Sequence, residues 1–222
     1  MPDSEPLSKS KLLYLYDRVK NNYILDYPDD ERLEVKLLKE QIKAGIPKKY
    51  LFADVSDIQG SMKSQIEGFD IGKSYYIWGG VGTGKTHLIC AMANSLLKSL
   101  YEKKKLSSYT LPRIANVNGI LLEIKQTFQN KSEKSEQDII YQYTSYPCLI
   151  LDDLGVEKPS EWVTQTLYAI VDTRYNDSKQ TCFTSNLSLD KISEKIGDRI
   201  PSRIAEMCEI VQIKGRDRRL SK

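Results

Sequence analysis

An α/β fold, built on a mostly parallel sheet covered by helices on both faces, is what this sequence predicts. Three observations predict it. Beyond residue 46, short apolar runs alternate with amphipathic stretches of helical spacing, as a parallel sheet with crossover helices requires. A glycine-rich bend, residues 79–84, sits between the first such run and the stretch that follows it. A third apolar run, CLIL at 148–151, leads straight into two acids.

The elements follow in order. Residues 1–10 are polar, contain two prolines, and are expected to fray. Residues 11–22 carry Leu12, Leu15, Tyr16 and Val19 at helical spacing. Pro28 and Asp29 then punctuate the chain. Asp29 or Asp30 is placed to cap a second helix through about residue 44, with Leu33, Leu37, Leu38 and Ile42 on one face. Gly45 ends that helix and Pro47 blocks its continuation. The pair forms a short N-terminal helical extension over residues 1–45. It either contacts a partner or packs on the main domain, residues 46–222, because its apolar stripes must be buried against something.

The main domain then reads as a strand at 74–78, the bend, and a helix over 85–100 with Leu88, Ile89, Met92, Leu96 and Leu97 inward. Lys103, Lys104 and Lys105 form a solvated basic turn, and residues 113–117 a second strand. Asn118 is the expected cap of a helix running to about residue 128, and a polar stretch at 130–137 leads to another helix. A strand at 148–151, a helix at 160–176 and a strand at 180–185 follow. Two short helices and a last strand at 209–214 complete the pattern.

Composition narrows the class. The 222 residues suffice for one well-buried domain with a small extension, not for two large ones. A hydrophobic share of 40% and a charged share of 28% are ordinary for a soluble globular chain. The net charge of +3 permits nucleic-acid contact without arguing for it. Cys90, Cys148, Cys182 and Cys208 form no CxxC pair, so neither a local zinc site nor a disulfide framework is expected. No stretch approaches the roughly 20 apolar residues of a membrane span, and MPDSEPLSKSK lacks the apolar core of a signal peptide. A cytoplasmic protein with no membrane partner is the expectation.

Residues 79–86, GGVGTGKT, fit the phosphate-cradle pattern G-x-x-x-x-G-K-[ST]. Gly79, Gly80, Val81, Gly82, Thr83 and Gly84 supply a bend whose glycines let N–H groups turn toward phosphate oxygens without a Cβ clash. The helix opening at Lys85 aims its positive end at the same place. Lys85 is expected on the β- and γ-phosphates and Thr86 on magnesium, with His87 beside them; ATP and Mg2+ are the implied cofactors. A buried strand ending in Asp152 places that carboxylate beside the cradle as a magnesium-side acid. Asp153 follows as the group that orients or deprotonates the attacking water. Within TCFTSN, Asn186 either helps orient that water or is turn chemistry. Arg199 and Arg203, four apart in GDRIPSRIAEM, share a helix face. They serve a γ-phosphate or form a solvated basic surface.

Taken together, GGVGTGKTH, CLILDDLG, RYNDSKQTCFTSN, GDRIPSRIAEM and GRDRRL stand in the order and spacing of the DnaC/DnaI-type replicative helicase loaders. These resemble, and share an AAA+ branch with, the IstB-like transposition ATPases, close to the initiator DnaA. The resemblance covers about residues 46–220 and implies a P-loop NTPase fold of the AAA+ type. It implies Walker A at Lys85 and Thr86, Walker B at Asp152 and Asp153, and sensor 1 at Asn186. Arg203 would be an arginine finger acting in trans with Arg199 as companion, and Arg219 a sensor 2 residue. Self-association into a ring or spiral on single-stranded DNA is implied in turn. The helix near 118–128 would then face DNA, with Lys125 and Phe128 as contacts unless Phe128 is simply core.

The function implied is loading of a hexameric replicative DNA helicase onto single-stranded DNA, with ATP as an assembly switch. The alternative is an IstB-like ATPase that assembles on duplex DNA and recruits a transposase. A metabolite kinase or a non-hydrolysing adaptor fits the arginine pair and the occupied hydrolytic positions less well. Asp153 stands where many AAA+ proteins carry the longer glutamate, though the shorter acid is also common among the loaders this chain resembles, so hydrolysis is expected to be slow. With Arg219 close to residue 222, neither a full C-terminal lid nor a DNA-reading helix-turn-helix is expected. The N-terminal extension is short for a helicase-binding domain and has no zinc ligands.

Overall fold

The computed structural model describes residues 6–21, 33–58, 70, 72–105, 111–128 and 133–217. Strands β1 (Tyr75–Trp78), β2 (Pro112–Asn116), β3 (Cys148–Leu154), β4 (Gln180–Ser185) and β5 (Glu209–Gln212) form one sheet in the order β2-β3-β4-β1-β5. Each neighbouring pair is parallel. The helices are α1 (Lys9–Lys20), α2 (Leu33–Lys43), α3 (Lys85–Glu102), α4 (Val117–Thr127), α5 (Glu136–Ser145), α6 (Glu161–Asn176), α7 (Leu189–Ile196) and α8 (Arg199–Met207).

The period of two along each strand sorts the core into two layers. Tyr75, Ile77, Ile114, Cys148, Ile150 and Cys182 pack with α3 and residues 44–58 on one face. Tyr76, Ala115, Leu149, Leu151 and Phe183 pack with α4 to α8 on the other. Both faces are therefore covered, as the sequence predicts. All four cysteines are free and buried. No helix among the described residues is long and apolar enough to cross a membrane.

Several boundaries differ from expectation for local reasons. Helix α4 is capped by Asn116 rather than Asn118, because the Asn116 side chain accepts from the N–H of Gly119 and ends β2 one residue early. Strand β3 runs through both acids to Leu154. Strand β5 stops at Gln212, although the N–H of Ile213 still donates to the Trp78 carbonyl at 2.7 Å. Helix α2 buries Val35, Leu38 and Gln41, while Leu33 is 48% exposed. Its inward face is turned by Gln41, whose amide donates to the Leu51 carbonyl and to Asn94 on α3, both at 2.9 Å. The expected caps Asp29 and Asp30 lie outside the described residues.

Helices α1 and α2 share a small apolar cluster with Leu51, and α2 leads directly into the main core through Ala44 and Ile46. The crossing is tight. The N–H of Ile114 donates to the Ala44 carbonyl at 2.7 Å. A Cβ on Gly45 would stand 2.4 Å from the Ile114 carbonyl oxygen, and Gly45 has φ +81. Only glycine fits there on both counts. Gly45→Ala is expected to cost about 1–3 kcal/mol, read as a fall of several degrees in thermal midpoint. An unchanged midpoint would show that the extension does not press against β2 in this way.

Candidate functional site

The site grows from the exit of β1. The chain leaves Trp78, turns through residues 79–84 and enters α3 at Lys85. Gly82 has φ +72, a backbone conformation that L side chains rarely adopt, and it faces the Asp217 carboxylate. Thr83 turns inward, 2% exposed, and its hydroxyl donates to the Gly80 carbonyl at 2.9 Å, bracing the bend. A cavity of about 740 Å3 opens over the loop, lined among others by Val81, Gly82, Gly84, Thr86 and His87. Gly79 and Gly80 do not line it; their carbonyls instead accept from the Lys85 ammonium, both at 2.9 Å. Lys85 is 6% exposed, and its third acceptor is Asn186 Oδ1 at 2.7 Å. Two positions 101 residues apart thus meet at one ammonium, because β4 lies beside β1 in the sheet.

Alternation along β3 puts Asp152 on the same face as Cys148 and Ile150, toward the first turn of α3. The Thr86 hydroxyl donates to its carboxylate at 3.2 and 3.3 Å. Strict alternation would send Asp153 to the opposite face. Instead the register with β4 shifts between Leu151 and Leu154, and Asp153 adopts φ +62. This bulge re-aims it into the same cavity. Burial raises the pKa of Asp152 above the ordinary carboxylate value; the charge of Asp153 adds to this, and donation from Thr184 and Thr86 opposes it.

The donors fit a hard divalent cation. A threonine hydroxyl and one carboxylate, both oxygen, face one cavity. No cluster of three or more His, Cys, Asp or Glu capable of holding a metal occurs among the described residues. Magnesium shared with a phosphate chain needs only one or two such protein ligands.

Three participants escape sequence reasoning. The Thr184 hydroxyl donates to Asp152 at 2.5 Å and accepts from the Asp153 N–H at 2.9 Å, tying both acids to β4. The Asn116 amide donates to the Asp153 carboxylate at 3.3 Å, while its oxygen caps α4. The turn carrying Pro47, Lys49 and Tyr50 forms a cavity wall, with Tyr50 edge-on to His87 at 5.9 Å. Thr184 had a visible signal, its place two residues before Asn186; the others had none.

The arginines stand apart. Neither Arg199 nor Arg203 lines the cavity. Arg203 pairs with Asp172 at 2.9 Å and lies 4.7 Å over Tyr175, and Arg199 lies 5.9 Å from the Tyr168 ring centre. All three partners belong to α6, so the pair forms one face of the α6–α8 contact. Arg219 is outside the described residues. Phe128 is not core: it is 55% exposed and edge-on to Trp162 at 5.8 Å, with Lys125 5.2 Å over the same Trp162 ring.

Residues 72–222 match the family described as IstB-like ATP binding protein, roughly two thirds of the chain. The replicative helicase loader DnaC of Escherichia coli K12 is 29% identical over 143 residues, covering 64% of this chain and 54% of that protein. The replicative helicase loader DnaI of Bacillus subtilis 168 is 26% identical over 161 residues, covering 67% and 48%. The chain thus spans about half the length of these relatives. The crystal structure of the DnaC helicase loader superposes with a TM-score of 0.59 at 26% identity, over 76% of this chain and all of that one.

Proposed function

This chain belongs to the family of IstB-like ATP binding proteins, and from that premise we propose that it is a slow ATPase that helps load a replicative helicase onto single-stranded DNA. One observation carries the reading. Lys85, Thr86, Asp152, Asp153 and Asn186 face a single cavity at the strand ends, in a chain whose relatives are named replicative helicase loaders. The transposition alternative is less favoured because of those relatives.

The roles follow from the geometry. Amides of the bend and the Lys85 ammonium would grip the phosphates of ATP. Thr86 and Asp152 would hold magnesium, which supplies charge neutralisation on the β- and γ-oxygens when bound. Asp153, steered by Asn116, would orient the attacking water, and Asn186 would share the γ-phosphate side with Lys85. A carboxylate one methylene shorter than glutamate stands farther from that water, which suits a switch better than a motor. A turnover well above about 10 per second would contradict it.

Arg203 would act on the nucleotide of a neighbouring copy. Its position off its own cavity supports this, and its solvent-screened ion pair with Asp172 holds it only weakly. Lys125, Phe128 and Trp162 would pair with phosphate and stack on bases of single-stranded DNA. Residues 1–45 would form the helicase contact, and the protein would work in the cytoplasm.

Sizing in solution tests this. With magnesium, a slowly hydrolysed ATP analogue and a short single strand, the protein should shift from monomer to a higher assembly and prefer the single strand over duplex. It should also co-elute with a hexameric replicative helicase. Tyr14→Ala and Leu33→Ala remove exposed apolar groups from α1 and α2 and should weaken that co-elution while sparing ATP binding. A strict monomer under every condition, or a preference for duplex, would overturn the loader reading.

A further inference from the structure

We propose that Lys49 is a second cation for the terminal phosphate in this cavity, presented by the segment that joins α2 to the sheet, so that it sets the preference for ATP over ADP. The inference rests on the nucleotide reading above and goes beyond the cradle and the acids.

Lys49 lines the same cavity as Lys85, Thr86, Asp152 and Asn186. Its side chain is exposed, and no carboxylate among the described residues pairs with it. The adjacent Lys48, by contrast, is taken by Asp17 of α1. The Lys49 ammonium rests 4.6 Å over the Tyr50 ring, and that ring abuts His87, the residue after Thr86. Lys49 therefore stands beside the first turn of α3, on a wall of the cavity that Thr86 and Asp152 also line. A second sign of this placement is Cys90, one turn beyond Thr86 on α3. Burial chiefly raises its thiol pKa, to about 12, with Asp152 adding to the rise and Lys49 opposing it.

The turn beneath Lys49 is fixed. Asn94 of α3 donates to the carbonyls of Tyr50 at 3.0 Å, Leu51 at 3.3 Å and Ala53 at 2.8 Å. Gln41 of α2 donates to the Leu51 carbonyl and to Asn94, both at 2.9 Å. The chain immediately after Lys49 is thus tied to α3, the helix that opens at Lys85. Its long side chain stays free to swing. An exposed cation–π contact is weaker than a charge-assisted contact to phosphate, so a γ-phosphate draws the ammonium off Tyr50. ADP carries no such group. Because Gln41 belongs to α2, a partner seated on α1 and α2 could move the same cation.

Equilibrium binding of fluorescent ATP and ADP with magnesium tests this, using the full chain, Lys49→Ala, Lys49→Arg and, as a charge control, Lys48→Ala. Lys49→Ala should weaken ATP about tenfold, as loss of one charge-assisted contact would, and leave ADP within about twofold. Lys49→Arg should retain most of the ATP preference, and Lys48→Ala should change neither affinity. Equal loss for both nucleotides, or no loss for either, overturns the assignment. A wild-type chain that binds no nucleotide would instead sink the nucleotide reading on which it stands, a result distinct from the other two.

Discussion

Lys85→Ala is expected to weaken ATP binding at least about 100-fold. Under the proposed nucleotide reading, two charge-assisted contacts to phosphate, each worth about 1.5–3 kcal/mol, would vanish together. The loss should exceed that of a surface lysine, because Lys85 is 6% exposed and its field is little screened by water. The same ammonium also satisfies the carbonyls of Gly79 and Gly80 and the oxygen of Asn186. Alanine leaves those three oxygens without this donor, so the bend and the exit of β4 lose their shared anchor. Nucleotide-dependent assembly should disappear with binding. Isothermal titration of ATP with magnesium checks the first claim, and sizing with the slowly hydrolysed analogue checks the second. A loss of only severalfold would mean that the cradle is not organised around this side chain. Circular dichroism of the variant separates lost binding from lost folding.

Arg174→Ala should produce the largest loss of stability, about 3–5 kcal/mol. Arg174 is fully buried on α6. Its guanidinium donates to the carbonyls of Tyr143, Thr144 and Tyr146 at 3.1, 3.2 and 2.7 Å, to the Gln180 carbonyl at 2.5 Å, and to the Thr181 hydroxyl at 2.8 Å. One planar fork thus ties the end of α5 to the start of β4. Burial lowers its pKa to about 10, so it remains charged at neutral pH. Removing it strands carbonyls in the interior, where each unsatisfied group costs about 1–3 kcal/mol. Arg174→Lys should recover little, because a single ammonium cannot span both sets of acceptors. Urea unfolding reads the effect as a lower midpoint. A loss below about 0.5 kcal/mol, the usual surface range, would show that the network is dispensable.

Both residues show how far the chain could be read. Lys85 was legible because the pattern is local: glycines, lysine and threonine fall within eight consecutive positions. Asp152 was legible because an apolar strand ending in an acid carries its own direction. Arg174 gave no such sign. It sits in a helix of mixed polarity, and its acceptors lie 28 to 31 residues before it as well as 6 and 7 after it. Asn118 and the inward face of α2 were misplaced for the same kind of reason. Asn116 took the cap, and Gln41, a polar residue, took a buried position because Leu51 and Asn94 supply its partners.

By itself, then, the order of residues determined the α/β class, the glycine-rich bend ahead of Lys85 and the strand that delivers Asp152, since each depends on short-range geometry and strand direction. The tertiary structure alone decided what surrounds them. The order β2-β3-β4-β1-β5 brings Thr184 against Asp152 and Asn116 against Asp153. The bulge in β3 turns Asp153 back toward the cavity. The clamp from Asn94 carries Lys49 to the cavity across more than 40 residues of chain. Such contacts depend on which strands become neighbours and which carbonyls find donors, and neither is written in any local stretch.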